Sequence, residues 1–229
     1  ALQTKRRGPP RLSHTFDGWS YDSDKQLAFM PESLRGAVFV DSKIVANGLG
    51  LTDSELNLQW KPAPYLLTFD PYEKKWNYIS ENAPKCGRDP SAKYVPHLRA
   101  WWVNSGGAMS LYDPETKTTK KLNLKEGGGG YGSSTAYDPE NKSIVTISPP
   151  GKEGTGLTLI YSFESDSWKL VQPKAPTGGC SASGYFDYDS KAKQFVLYTT
   201  RSKPNFWIYN VKQNEWTPIE ILGEQPSGG

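Results

Sequence analysis

Short apolar runs, bounded by polar stretches rich in Asp, Lys, Gly and Pro, recur along the whole chain. Four of these runs end in an aromatic residue, and the four aromatics lie 43 to 49 residues apart. Seven positions after each aromatic stands a second, nearly constant residue; the four pairs are Phe69 and Trp76, Tyr112 and Thr119, Tyr161 and Trp168, and Tyr209 and Trp216. Apolar runs of this length between turn residues predict β-strands, so the chain repeats a unit of several strands.

A second element precedes each aromatic pair. It consists of an Asp, a short polar stretch and a Lys, and an apolar run follows it. The four copies are Tyr21–Lys25, Arg88–Lys93, Tyr137–Lys142 and Tyr188–Lys193. Asp and Pro favour the start of turns, since Asp bonds its own backbone and Pro fixes φ. This element therefore predicts the hairpin between a first and a second strand, with Arg88 in place of the hairpin tyrosine in the second unit.

The two elements together predict four antiparallel strands per unit. The first aromatic of each pair ends the third strand, and Trp76, Thr119, Trp168 or Trp216 begins the fourth. A strand-rich period of 40–50 residues is typical of a β-propeller blade. We therefore predict an all-β fold, a β-propeller of four-stranded antiparallel blades with four blades visible. The predicted spans are 11–80, 86–124, 131–172 and 180–221, together 11–221, after a tail at 1–10.

The first blade has an insertion. From the hairpin Asp to the third-strand aromatic there are 20 to 23 positions in the other three blades but 47 in this one. The extra residues fall within about 33–64, which includes Trp60. An insertion of this size on a rigid scaffold is a common place for binding.

The chain resembles kelch-type β-propellers, of the galactose-oxidase and kelch-like repeat superfamily. The resemblance rests on the hairpin Tyr-Asp, on the third-strand aromatic-Asp-Pro and on the Trp that opens the fourth strand. Pro9–His14 also resembles the start of a kelch repeat. The diglycine that usually ends the second strand is present only as Gly106-Gly107, so the chain departs from the pattern in three blades. The resemblance implies a propeller that presents its loops to protein partners.

The two blade connections at the C-terminal end are alike. Pro-Thr-Gly-Gly at 176–179 leads into the fourth blade, and Pro-Ser-Gly-Gly closes the chain at 226–229. An open arc of blades would leave apolar blade faces in water, so either the four blades close into a ring or the sequence is a portion of a longer propeller. We favour the portion, with 222–229 as a linker toward a further blade. Other blades or other copies would then complete the ring.

The recurring aromatics need only a packing role, because each blade of a propeller buries both faces against its neighbours. This set comprises Tyr21, Phe69, Trp76, Tyr112, Tyr137, Tyr161, Trp168, Tyr188, Tyr209 and Trp216. Strand alternation sends Trp101 and Trp102 to opposite faces of the second blade, where both serve as core. Thr119 in place of Trp predicts a thinner outer edge in that blade.

Binding is expected on the irregular face, where the connections between strands 2 and 3 and between successive blades meet. The candidates there are Arg11, His14, Trp60, Arg88 and Tyr131. For each of these residues the alternative is a purely structural role, in which it anchors its loop or forms an ion pair. The opposite face carries the hairpin turns with Lys25, Lys93, Lys142, Lys193, Lys74, Lys75 and Lys117. We call these residues the lysine rim. A lysine rim either protects the strand edges from pairing with other chains or binds an acidic partner.

Composition excludes several function classes. A net charge of +3 argues against nucleic acid, and no apolar window approaches a membrane span. Two cysteines make neither a disulfide framework nor a zinc site; Cys86 and Cys180 belong to blades that are not adjacent, so free thiols are expected rather than a disulfide. Two histidines cannot form a His-rich cluster, so we expect no metal, no cofactor and no catalytic residue, and we lean toward a non-enzyme.

Three functions remain open. The first is a non-catalytic scaffold for a protein partner. The second is a carbohydrate-binding or carbohydrate-active propeller. An aromatic row with adjacent carboxylates on the loop face would favour it. The third is a structural array of blades in a surface assembly. A flat face with an unpaired apolar patch would favour the first. Sparse cysteines favour an extracellular, periplasmic or surface location over a cytoplasmic one.

Overall fold

The computed structural model describes residues 18–31, 66–79, 82–84, 90–105, 108–123, 133–148, 156–175, 184–199, 204–220 and 223. In this part the chain is all-β apart from one short 3-10 turn, Pro96–Leu98. Sixteen strands form four antiparallel four-stranded sheets, and each sheet is ordered as its strands follow in the chain. The four sheets are the blades of a β-propeller, as the repeat predicts.

Each blade takes four consecutive strands. Blade 1 contains β1 (Ser20–Asp22), β2 (Leu27–Pro31), β3 (Leu66–Asp70) and β4 (Lys75–Ile79). Blade 2 contains β5 (Ser91–Val95), β6 (Ala100–Ser105), β7 (Ala108–Asp113) and β8 (Thr118–Lys121). Blade 3 contains β9 (Ser134–Asp138), β10 (Ser143–Ser148), β11 (Gly156–Ser162) and β12 (Ser167–Ala175). Blade 4 contains β13 (Gly184–Asp189), β14 (Gln194–Thr199), β15 (Phe206–Asn210) and β16 (Glu215–Ile219).

The first strands of successive blades pack side by side, β1 on β5, β5 on β9 and β9 on β13. They therefore line the inside of the propeller, and the fourth strands form its outer edge. Within that edge β8 is the shortest strand, with four residues against five in β4, nine in β12 and five in β16. Thr119 lies in β8, at the position that holds Trp in the other three blades.

The structure corrects the predicted hairpin of blade 2. The segment Arg88–Lys93 is not the turn between the first two strands, because Ser91–Val95 is itself the first strand. The turn is Pro96–Arg99, and the hairpin tyrosine is present as Tyr94, so Arg88 does not replace it. Lys93 consequently lies in a strand and is absent from the rim of turn lysines. The prediction failed because Asp89-Pro90 has the composition of a turn start, whereas the true turn follows Val95.

Three hydrophobic clusters hold the blades together. The first joins blades 1 and 2 through Phe29 and Trp101, which stack with centroids 4.5 Å apart. The second joins blades 2 and 3 through Trp102 and Tyr161. The third joins blades 3 and 4 through Val145 and other buried residues. Trp101 and Trp102 thus lie on opposite faces of blade 2, as alternation predicts. Within the described ranges no such cluster joins blade 4 to blade 1.

We call the face of a blade that is turned to the next blade its leading face, and the other its trailing face. The third-strand aromatics and the fourth-strand tryptophans belong to trailing faces. Tyr112, Tyr161 and Tyr209 are completely buried there, and Trp168 and Trp216 nearly so. Phe69 and Trp76 hold the same positions in blade 1 but are only half-buried, because no described blade covers that face.

Candidate functional site

The five candidate residues Arg11, His14, Trp60, Arg88 and Tyr131 all lie outside the described residues, and so do Cys86 and Cys180. The same holds for most of the predicted binding face, since the connections between second and third strands fall at 32–65, 106–107, 149–155 and 200–205, and only 204–205 of these are described. Binding by this face stays a prediction. The described residues instead define the hairpin-turn face and the two end faces of the blade array.

The hairpin-turn face is built from one turn design repeated in every blade. In five turns an Asp at the strand end accepts hydrogen bonds from the backbone N–H groups two and three residues later; these are Asp22, Asp70, Asp113, Asp138 and Asp189. The residue four positions after the strand end has a left-handed backbone, as at Lys74 with φ 51° and Lys193 with φ 56°. Asp therefore directs these turns by bonding its own backbone, as predicted.

Glutamates of neighbouring blades partly neutralise the positive charge of the lysine rim. Lys25 of blade 1 contacts Glu115 of blade 2, and Lys193 of blade 4 lies 3.4 Å from Glu140 of blade 3. A further exposed pair joins Arg99 to Asp24, 3.4 Å apart. Exposed pairs of this kind contribute little to stability. In its described part this face therefore carries carboxylates among its cations rather than lysines alone.

Asp22 links the turn of blade 1 to the core of blade 2. Its Oδ1 accepts the two turn N–H groups, and its Oδ2 accepts a hydrogen bond of 2.7 Å from the indole Nε1 of Trp101. Both residues are buried, with exposures of 1% each. A second link is the bond of 2.8 Å from the Tyr94 N–H to the Ser20 Oγ. These contacts fix the relative position of β1 and β5 on the inside of the propeller.

The turn that follows β5 places His97 over the junction of blades 2 and 3. Its Nδ1 is 2.7 Å from the Tyr137 hydroxyl, and its ring stacks on Tyr137 and meets Phe163 edge-on. His97 is exposed overall, but partial desolvation of its ring at these contacts, together with the nearby Lys142 cation, lowers the pKa of His97 below its usual 6.5. The imidazole is therefore mainly neutral at pH 7. It packs on the Tyr137 ring and forms a hydrogen bond with the Tyr137 hydroxyl.

The third-strand tyrosines close their own turns. The Tyr161 hydroxyl donates to Asp166, and the Tyr209 hydroxyl donates to the Asn214 Oδ1 at 3.0 Å. Asp166 also accepts a hydrogen bond from the Asn123 N–H. The hydrogen bond from Tyr161 has the larger effect and that from Asn123 the smaller, and together they hold the pKa of the Asp166 carboxyl below its usual range. Burial, with Asp138 nearby, raises the pKa of Tyr209 to about 12. These tyrosines are neutral structural donors rather than acid–base groups at neutral pH.

A shallow cleft of about 280 Å³ lies between blades 2 and 3 beside these turns. It is lined by Leu98, Ala100, Leu111, Asp113, Thr118, Lys120, Leu122, Tyr161 and Phe163. The lining is apolar with a charged rim, and only one carboxylate reaches it. Among the residues that the structure describes, no group of three or more His, Cys, Asp or Glu side chains could hold a metal ion.

The leading face of blade 4 is largely apolar, with the exposed Asp187 opposite Val196. Tyr185, Tyr198 and Phe206 form a row in which centroids are 6.4 and 4.7 Å apart. Val196 and Ile208 lie on the same face of the sheet, at alternate positions. Tyr185 is 78% exposed, and the other four side chains are half-buried. No described blade packs on this surface. The sequence indicated that an open arc of blades would expose apolar faces, but not which residues would form them.

Blade 1 presents the corresponding trailing face. Trp19 meets Trp76 edge-on at 5.7 Å, and Phe69 lies 4.9 Å from Trp76. Trp19 and Tyr21 are about half exposed. For the blade 4 face a sequence signal was available, since β14 and β15 are apolar at nearly every position, which indicates two apolar faces.

Comparison with known proteins supports the fold and nothing finer. No family model matches the chain, and no curated protein matches it. A solved structure of a nidogen/laminin complex is similar with a TM-score of 0.57 and 8% identity, over 86% of this chain and 61% of that one. An oligogalacturonate lyase in complex with manganese is similar with a TM-score of 0.50 and 12% identity, over 87% and 51%. This chain thus spans about half to three fifths of those chains.

No helix in the described part of the chain is long and apolar enough to cross a membrane.

Proposed function

We propose that this chain is a non-catalytic scaffold of the kelch type that binds a protein partner, and that the leading face of blade 4 is one of its binding surfaces. The observation that carries the proposal is the apolar patch on this face, where Tyr185 is exposed and Val196, Phe206 and Ile208 are half-buried. An exposed contiguous apolar patch on a soluble protein marks an interaction site. Aromatic anchors surrounded by aliphatic side chains are the usual centre of a protein interface.

A carbohydrate ligand is the second candidate, because the row of Tyr185, Tyr198 and Phe206 offers rings for stacking. Asp187 lies on the same face and is exposed. The patch favours protein over sugar for a physical reason. A sugar needs several hydrogen-bonding groups around the stacking rings, whereas here the neighbours Val196 and Ile208 are aliphatic.

A surface or extracellular location fits a scaffold of this kind, and we propose it with the function. The loop candidates Arg11, His14, Trp60, Arg88 and Tyr131 would supply a second binding surface on the opposite side from the hairpin turns. Any cofactor or catalytic step is outside the proposal.

A photo-crosslinking amino acid at position 185 tests the proposal. The control places the same amino acid at Tyr72, which is 72% exposed but lies in a turn of blade 1 away from the patch. We expect polypeptide adducts at position 185 and few at position 72. The partner identified by mass spectrometry is then purified, and its affinity should fall at least tenfold with Val196→Asp and stay unchanged with Tyr72→Asp.

Equal adduct formation at the two positions would contradict the proposal. So would saturable binding of oligosaccharides that is lost on Tyr185→Ser, because it would assign the patch to the carbohydrate alternative.

A further inference from the structure

We infer that the cleft between blades 2 and 3 binds a segment of a partner protein in which a carboxylate lies next to a large apolar side chain. The apolar side chain enters the cleft, and the carboxylate lies against Lys120 and Lys142 beside it. The inference uses a different surface from the blade 4 patch. It still rests on the proposed function, because the ligand is a polypeptide.

One ion pair is repeated where the first hairpin turns of successive blades meet. The acid stands two residues after the end of a first strand, and the cation stands directly before the second strand of the next blade. Asp24 thus lies 3.4 Å from Arg99 at the junction of blades 1 and 2. Glu140 lies 3.4 Å from Lys193 at the junction of blades 3 and 4. Both cations have a left-handed backbone, with φ 49° and 56°.

The junction of blades 2 and 3 has the cation of this pattern but not the acid. The cation is Lys142, with φ 49° directly before β10. The position of the acid, two residues after β5, holds His97, and an imidazole carries no negative charge in either protonation state. Lys142 is exposed and takes part in none of the ion pairs among the described residues. A carboxylate from another protein would complete the pattern.

The cleft beside this junction supplies the apolar half of the site. Leu98 follows His97 in the same turn, lines the cleft and is 41% exposed. Phe163 lines it from blade 3 and meets the His97 ring at 5.5 Å. The volume of about 280 Å³ is below the range of about 300–1,000 Å³ that is usual for small-molecule pockets. The cleft therefore suits one large side chain of a segment that continues across its rim.

The charges around the cleft favour an acidic segment. Lys120 lines the cleft, is exposed and, like Lys142, has no ion-pair partner in the described part of the chain. The two carboxylates of this region, Asp113 and Asp166, already accept hydrogen bonds from backbone N–H groups. Two unpaired cations beside an apolar cleft complement a carboxylate that is adjacent to an apolar side chain.

A selection from displayed random peptides tests the inference, with the whole chain as bait. We expect the enriched peptides to share an Asp or Glu next to a Trp, Phe or Leu. Counter-selection on the variant with Lys120→Glu and Lys142→Glu should remove these peptides. Enrichment of peptides that lack an acid, or of none that the counter-selection removes, would overturn the inference.

The affinity of a selected peptide, measured by fluorescence anisotropy, separates the two halves of the site. Lys120→Glu and Lys142→Glu should each weaken binding about tenfold at low salt, because attraction becomes repulsion. Leu98→Ser should also weaken binding about tenfold, because the apolar contact is lost. The controls are Lys169→Glu at the strand position of Lys120 in blade 3, Lys74→Glu at another left-handed turn position, and Leu170→Ser at another exposed leucine. Equal losses in these controls would overturn the inference.

Two substitutions of His97 give the decisive result. His97→Glu supplies the acid that the other two junctions have, so it should occupy Lys142 and weaken peptide binding about tenfold. His97→Gln keeps a neutral side chain and should leave the affinity unchanged. Equal affinities of the two variants would mean that the missing acid has no part in binding. Circular dichroism of each variant identifies a loss that comes from misfolding.

Failure of this inference is distinguishable from failure of the proposed function. Peptide binding that is unaffected by the cleft variants would overturn the inference, and polypeptide adducts at position 185 would then leave the proposed function standing. Absence of both peptide binding and adducts would remove both. Free phenylacetate that binds the cleft as tightly as the peptides do would assign it to small aromatic acids and would also overturn the inference.

Discussion

At the scale of single residues, one buried carboxylate performs two tasks. Asp22 directs its turn through two backbone N–H groups and also accepts the Trp101 indole N–H across the interface of blades 1 and 2. Asp22→Ala leaves that buried indole donor unpaired, so we expect the free energy of unfolding to fall by about 3–4 kcal/mol. Urea unfolding followed by tryptophan fluorescence measures it.

Asp189 is the matched control, because it makes the same two turn contacts on the surface and has no indole partner among the contacts that the structure describes. Asp189→Ala should lower the free energy of unfolding by about 1 kcal/mol. Asp22→Asn should fall between the two, since a single amide oxygen cannot serve both the turn and the indole. Equal losses at positions 22 and 189 would mean that the link between blades contributes nothing.

The histidine at the junction of blades 2 and 3 gives a prediction on pH. Partial desolvation of the ring and the Lys142 cation lower the pKa of His97 in the folded state. The unfolded chain therefore binds more protons in this range, and stability falls as the pH drops from about 6.5 through the folded-state pKa. NMR titration of the ring protons should give a midpoint below 6.5.

Lys142→Gln tests the cause. Gln26 holds the same left-handed turn position in blade 1, with φ 54°, so the substitution suits the backbone. We expect the His97 midpoint to rise toward its ordinary value, and the acid-side loss of stability to shrink. A midpoint at or above 6.5 in the unchanged protein would show that His97 is more open to water than its contacts indicate.

At the scale of elements, the hairpin turns hold a small amount of backbone strain. A left-handed backbone conformation is unfavourable for any residue with a Cβ, and Lys74 has this conformation, with φ 51°. Lys74→Gly should therefore raise the free energy of unfolding by about 0.5 kcal/mol. Lys75→Gly, one residue later and inside β4, should lower it by about 1 kcal/mol. Urea unfolding compares the two, and shifts of the same sign would refute the strain at position 74.

The same turns explain what could be predicted of the strands. The first turns of blades 1, 3 and 4 lie where the sequence predicts them because Asp22, Asp138 and Asp189 start these turns, and this chemistry is local. Blade 2 has Val95 at the corresponding position, so the Asp upstream, Asp89, predicts the turn too early in the chain. The left-handed backbone of Arg99 cannot be predicted from the amino-acid composition of the segment. Such a turn is recognised only once the pairing of β5 with β6 is known.

At the scale of the whole molecule, the repeat predicted the kind of interface but not where the array ends. Periodicity showed that aromatics such as Tyr161 and Trp168 would fill the space between blades. It could not show which blades lack a neighbour, because Trp76 and Trp216 are the same residue in the same position of the repeat. Their different burial depends on the arrangement of blades, which is a long-range property.

That difference leads to the last prediction, which compares the cost of losing each of the two tryptophans. Trp216→Ala removes a buried ring from the contact of blades 3 and 4 and should lower the free energy of unfolding by about 3–5 kcal/mol. Trp76→Ala should lower it by only about 1–2 kcal/mol, because the side chain is only half-buried in the folded protein. Urea unfolding followed by circular dichroism compares the two variants with the unchanged protein. Equal losses at positions 76 and 216 would mean that the two rings are covered to the same extent, against the burial that the described blades show.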